Sequence, residues 1–127
     1  MVENAPAPTE IRLNSEKDEL TLSFGEDISY KYSAEFLRVH SPSAEVQGHS
    51  EAQRKTVGGK RFVKITNIEP VGNYAIKLTF DDGHDTGLFS WKYLTELDSE
   101  MEGRWAFYLY ELEEKGLTRE PKFKLDS

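Results

Sequence analysis

Phe80-Asp81-Asp82-Gly83-His84-Asp85-Thr86-Gly87-Leu88-Phe89-Ser90-Trp91-Lys92-Tyr93-Leu94 is the stretch on which the reading of this chain turns. Asp82-Gly83 supplies the left-handed backbone that a hairpin turn between two strands requires. Thr86 to Phe89 then reads as the return strand, and Trp91 to Leu97 as a short helix behind it. His84 falls at the hairpin tip with carboxylates on either side, a setting that suits a ligand or a proton carrier.

Period-two patterns lie upstream of that turn. Tyr74, Ile76, Leu78 and Phe80 alternate with polar or small neighbours, as do Leu20, Leu22 and Phe24. Such alternation buries one face of a strand. Ile11 and Leu13 form an earlier strand joined to the second through Asn14-Ser15-Glu16-Lys17-Asp18, and Ile28, Tyr30 and Tyr32 continue after Gly25-Glu26-Asp27. Ser33 is placed to cap a short helix through Ala34–Arg38. Phe62, Val63 and Ile65 restart a strand, which Asn67-Ile68-Glu69-Pro70-Val71-Gly72 is expected to interrupt.

Downstream, Ser99 and Glu102 have the spacing of a capping box, in which each side chain satisfies a free backbone donor. Met101, Trp105, Tyr108, Leu109 and Leu112 then recur at helical spacing, and Lys115-Gly116 suits a helix end. The expected fold is therefore α+β: small antiparallel β-sheet hairpins with a short helix and a C-terminal helical pair packed on the sheet. Residues 1–8 are expected to form a disordered tail, 9–117 the domain, and 118–127 a polar C-terminal tail. The polar stretch from His40 to Lys60 reads as a long loop.

Composition narrows the function classes. The chain has 127 residues, no cysteine and a formal net charge of −7. Disulfides and thiolate metal sites are excluded, and the acidic balance disfavours nucleic acid as a partner. No apolar run is long enough for a membrane span, and the start lacks the pattern of a signal peptide, so a cytoplasmic location is expected. Charge is uneven: Arg54, Lys55, Lys60, Arg61 and Lys64 gather in one segment, and Glu96, Asp98, Glu100, Glu102, Glu111, Glu113 and Glu114 in another. These are either solvated faces or a docking surface for a protein partner.

His40, His49 and His84 are the histidines. With an oxygen ligand such as Glu45, Asp82 or Asp85 they have the donor types to hold zinc or iron, although their spacing is not diagnostic. The alternative is that they brace loops. Ser41, Ser43, Ser50 and Ser90 lack the Gly-x-Ser-x-Gly elbow, so a hydrolase is disfavoured. Gly58-Gly59-Lys60-Arg61 lacks the spacing of a phosphate loop.

Leu37-Arg38-Val39-His40-Ser41-Pro42-Ser43-Ala44-Glu45-Val46-Gln47-Gly48-His49, Gly72-Asn73-Tyr74-Ala75-Ile76, and Asp81–Gly87 followed by Ser90-Trp91-Lys92-Tyr93-Leu94 occur in that order. Together they resemble the gamma-butyrobetaine hydroxylase-like N-terminal domain family over roughly residues 9–117. The chain looks like the stand-alone bacterial form. In the namesake enzymes the resemblance implies a structural zinc held by a Cys-x-Cys-x-x-Cys run and one histidine. Carried over by motif, those positions are Ser41, Ser43, Val46 and His84, so the zinc site is expected to be lost. The resemblance also implies relatives fused to ATPases similar to iron–sulfur cluster carriers.

The expected function is a non-enzymatic binding or adaptor module with no cofactor and a protein partner, accessory to iron or iron–sulfur handling. Its expected binding face comprises Arg38, His40, Glu45, His49, Asp82, His84 and Asp85. The alternative is an iron- or zinc-binding protein using His40, His49 and His84.

Overall fold

The computed structural model describes residues 6–43, 46 and 55–121; Glu45 and His49 lie outside them. Among the described residues there are two three-stranded antiparallel sheets. The first contains β1 (Glu10–Leu13), β2 (Glu19–Phe24) and β3 (Ile28–Ser33), in that order. Its alternation works as the sequence implies: Leu20 pairs with Tyr32 and Leu22 with Tyr30, and Leu20, Leu22 and Tyr32 are buried. At the β1–β2 turn the Asn14 side-chain oxygen accepts from the Asp18 and Glu19 N–H groups, both at 3.0 Å. That side chain does locally what a ladder bond would otherwise do.

The second sheet contains β4 (Ile65–Val71), β5 (Ala75–Phe80) and β6 (Leu88–Ser90). Two strand boundaries differ from expectation. β4 continues through Asn67–Val71 instead of stopping, with a register irregularity between Ile65 and Asn67. Pro70 is tolerated because β4 is an edge strand, where a missing N–H need not remove a ladder bond. β6 begins at Leu88, not Thr86, so residues 81–87 form a wider loop. Its first half is a tight turn: Gly83, at φ +93°, donates to the Phe80 carbonyl at 3.0 Å, and Phe80 N–H donates to the His84 carbonyl at 2.9 Å. The second half travels inward before pairing resumes.

Helix α1 (Ala34–Val39) starts at Ser33, whose hydroxyl accepts from Phe36 N–H at 3.0 Å, as expected. Ser90 does the same for α2 (Trp91–Ser99), accepting from Tyr93 N–H at 3.0 Å. The expected capping box before α3 (Met101–Glu114) is absent. Ser99 ends α2 and donates to the Glu96 carbonyl at 3.0 Å, while Glu100 precedes α3 without a side-chain cap bond. The helices nearly abut, so Glu100 N–H is already bonded to Glu96. The other end of α3 is a Schellman closure: Leu117 N–H donates to Leu112 at 2.8 Å and Gly116 N–H to Glu113 at 3.2 Å, with Gly116 at φ +68°.

The main core joins Leu20, Leu22 and Tyr32 of the first sheet to Ile76, Leu78, Phe80 and Phe89 of the second, with Leu37 of α1 and Leu94 and Leu97 of α2. The Tyr32 hydroxyl donates to the Leu94 carbonyl at 2.7 Å, so the buried phenol is satisfied, and burial raises its pKa. A smaller cluster packs Val39 against Tyr108 and Leu112 of α3. Leu109, placed on the same stripe by spacing, is 40% exposed instead.

Residues 118–121 dock on the fold. Gly59 N–H donates to Thr118 and Arg61 N–H to Arg119. The Arg119 guanidinium makes a fork with the buried Glu35 carboxylate at 2.7 and 2.8 Å and lies 5.2 Å over the Trp105 ring. No described helix is long and apolar enough to cross a membrane.

Candidate functional site

The end of α1, residues 41–43 and the 81–87 loop meet in a polar knot. Ser41 is fully buried, and Ser43 and His84 are each 6% exposed. A hydrogen bond joins His84 Nε2 to Ser41 Oγ at 2.9 Å, with Ser43 Oγ at 3.5 Å. Ser43 N–H donates to Ser41 Oγ at 3.3 Å, so one hydroxyl organises both the loop and the imidazole. A Cβ on Gly87 would lie 2.4 Å from Ser41 Oγ, which explains why the loop passes here without a side chain.

Asp82 anchors the outer side of the knot. Its Oδ1 accepts from His84 N–H at 3.1 Å, and its Oδ2 accepts from Arg38 Nε at 2.8 Å and from Lys60 Nζ. Burial alone would raise the Asp82 pKa. The bonds from Lys60, the His84 N–H and Arg38 outweigh it and bring the value down to about 2. The aspartate is thus ionised and neutralised by two cations.

Of the expected binding face, Arg38, Asp82 and His84 do come together, but they bond chiefly to one another and to the two serines. Asp85 is exposed beside them. His40 is turned elsewhere. Its Nδ1 lies 2.9 Å from the Phe36 carbonyl, its ring lies tilted against Phe36 with centroids 4.4 Å apart, and its carbonyl accepts from the Tyr93 hydroxyl at 2.6 Å. Burial raises the Tyr93 pKa.

Among the described residues no group of three or more His, Cys, Asp or Glu side chains is arranged to hold a metal ion. The expected metal set is represented there only by His40 and His84, since His49 lies outside the described residues. The zinc implied by the resemblance does not fit the donors in this chain. Around His84 stand two hydroxyls, and the fourth motif position is the buried Val46, which has no donor at all. Within the Ser41–His84 contact Ser41 has no exposed surface, and the Asp82 carboxylate bonds the His84 N–H, Arg38 and Lys60.

A groove of about 750 Å³ lies between α3 and residues 55–57. Its apolar lining is Val39, Val57, Phe107 and Tyr108; His40 and Arg104 also face it, and Lys55, Glu100, Glu102 and Glu111 rim it. The Tyr108 hydroxyl donates to the Val57 carbonyl at 2.7 Å and Lys115 Nζ to Thr56 Oγ1 at 2.8 Å, tying the 55–57 segment to the helix. Burial and the nearby Glu35 push the Tyr108 pKa up to about 12. Phe107 and Tyr110 face outward, 51% and 57% exposed, with ring centroids 6.1 Å apart. The sequence places Trp105, Tyr108 and Leu112 on one helical stripe, and Phe107 and Tyr110 fall off it; that offset is the signal for an exposed aromatic face, while the groove itself has no local signal.

The sequence profile described as gamma-butyrobetaine hydroxylase-like, N-terminal, matches residues 11–95, two thirds of the chain and all the described residues of the knot. The chain belongs to that family. Three solved structures resemble this gamma-butyrobetaine hydroxylase-like domain. A protein solved by solution NMR is 49% identical, with 96% of each chain covered and a TM-score of 0.78. Another, also solved by solution NMR, is 43% identical, with all of this chain and 96% of the other covered and a TM-score of 0.79. A crystal structure of a protein of unknown function from Acidithiobacillus ferrooxidans, of the DUF971 family, is 35% identical. It covers 73% of this chain and 93% of its own, with a TM-score of 0.61. A comparison with curated proteins returned no match.

Proposed function

We propose that this domain is a non-enzymatic, cytoplasmic binding module that holds a protein partner in the groove along α3. The observation that carries the reading is the contrast between the two polar regions. The knot buries Ser41, Ser43 and His84 and ties Asp82 to Arg38 and Lys60, whereas the groove presents half-exposed Phe107 beside Val39, Val57 and Tyr108. Exposed aromatics next to a well-formed concavity are the residue type that dominates protein interfaces. The Ser41–His84 pair supports the non-enzymatic part, because Ser41 has no exposed surface and His84 is 6% exposed.

Site-specific photocrosslinking tests this. A crosslinking side chain at Phe107 is compared with one at Ile28, also 51% exposed but on the first sheet. Discrete protein adducts from position 107 alone are expected. Equal adducts from both positions, or none from either, overturn the reading. The family resemblance adds that the partner handles iron or iron–sulfur clusters, and adducts confined to proteins of other processes would remove that refinement.

A further inference from the structure

The outward face of α3 combines two properties. Phe107 and Tyr110 form a stacked, half-exposed aromatic pair, and they belong to the most acidic part of the chain. Between residues 91 and 115 there are seven acidic and three basic side chains. One of those bases, Arg104, is already bonded to Glu100 at 2.8 Å, and another, Lys115, to Thr56. Glu102, Glu113 and Glu114 of the same helix are exposed, and Glu114 falls on the same side as the aromatic pair by helical spacing. Lys55 also stands on the groove rim but is outnumbered by the carboxylates, and an apolar strip with that balance of charge attracts one chemistry and repels others.

We propose that the occupant of this surface is a cationic amphipathic segment of the partner protein, its apolar side chains meeting Phe107 and Tyr110 and its Lys or Arg residues meeting the glutamates. The inference rests on the binding reading above and names the partner's chemistry. A second copy of this chain is disfavoured, because the same excess of carboxylates would face itself across the contact. Anionic membranes and nucleic acid are repelled on the same ground.

The test is a titration of isotope-labelled full-length chain, followed through its backbone amides, with a synthetic peptide of Lys and Leu at helical spacing. Two further peptides serve as comparisons, one with Glu for Lys and one with Ser for Leu. The Lys–Leu peptide is expected to shift amides of α3 and residues 55–57, to bind far more tightly than either comparison, and to weaken as salt is added. Phe107→Ala and Tyr110→Ala are each expected to weaken it by about tenfold. Both side chains are half exposed, so unchanged circular dichroism will show that the fold persists.

Equal binding of the Lys–Ser peptide overturns the proposal, as do shifts elsewhere or no shifts. Sedimentation showing a dimer that Phe107→Ala dissociates also overturns it, in favour of a second copy. Photocrosslinks from position 107 that map to neutral or acidic partner segments defeat this inference while leaving the binding reading intact. Absence of crosslinks defeats both.

Discussion

Replacing Asp82 with Asn should separate the electrostatic contribution of the knot from its shape. The amide keeps an oxygen to accept from His84 N–H but brings no charge to Arg38 and Lys60. A carboxyl that titrates at 3.8 when free and about 2 when folded contributes about 2 kcal/mol at neutral pH if the whole difference is expressed. Asp82 keeps 20% of its side chain in water and its turn backbone is exposed, so screening reduces this to about 1–2 kcal/mol. Arg38 offers no compensation, since its Nη1 is already buried without a hydrogen-bond partner among the described residues. Because the folded pKa is depressed, the contribution is fully present above about pH 4 and is lost as pH falls toward about 2. Urea unfolding followed by tryptophan fluorescence across that range should show the variant weaker by this amount at neutral pH. The two proteins should converge near about pH 2. Parallel stability curves, separated equally at every pH, would refute the assignment of Asp82 as the neutralised anion of the knot.

Arg119→Ala should cost about 3 kcal/mol by leaving the buried Glu35 carboxylate unpaired, and a double-mutant cycle with Glu35→Gln, read by urea unfolding, should return most of that as coupling. Gly87→Ala should destabilise by about 1–3 kcal/mol through the clash with Ser41 Oγ, and adding Ser41→Ala should relieve part of the loss in thermal unfolding. The triple variant Ser41→Cys/Ser43→Cys/Val46→Cys should gain stoichiometric zinc by elemental analysis and a melting temperature that falls on chelation. The unmodified chain should melt at one temperature with or without chelator; a fall on chelation would contradict the donor argument made for this site.

Much of the fold was legible because its signals are local. The alternation of Leu20 and Leu22, the Asn14–Asp18 turn and the Ser33 cap each act within a few residues, and each holds. The failures arise where a local pattern has two structural solutions. Ser99 and Glu102 match a capping box, yet the same spacing arises when one helix ends as another begins, which is the case here. The polar and Pro-containing stretch Asn67–Gly72 was expected to interrupt the strand, yet β4 runs through it to Val71 because an edge strand tolerates Pro70. The site was legible in a different way. No spacing rule joins Ser41 to His84 across 43 residues; the family motif supplied that pairing, and the structure shows the two in contact. Lys60 was read as part of a basic patch, because nothing local indicates that Asp82 is its counterion. The groove depends on Tyr108 reaching Val57, 51 residues away, and periodicity alone could not locate it.

The fork between Glu35 and Arg119 spans 84 residues and so ties the first helix to nearly the last described turn of the chain. A nascent polypeptide emerging from the ribosome carries the carboxylate long before its guanidinium exists. Both sheets can be assembled by then, yet α1 cannot settle with its charge compensated until residue 119 has cleared the exit tunnel. Emergence of residue 119 is therefore the step that compensates the buried carboxylate of α1.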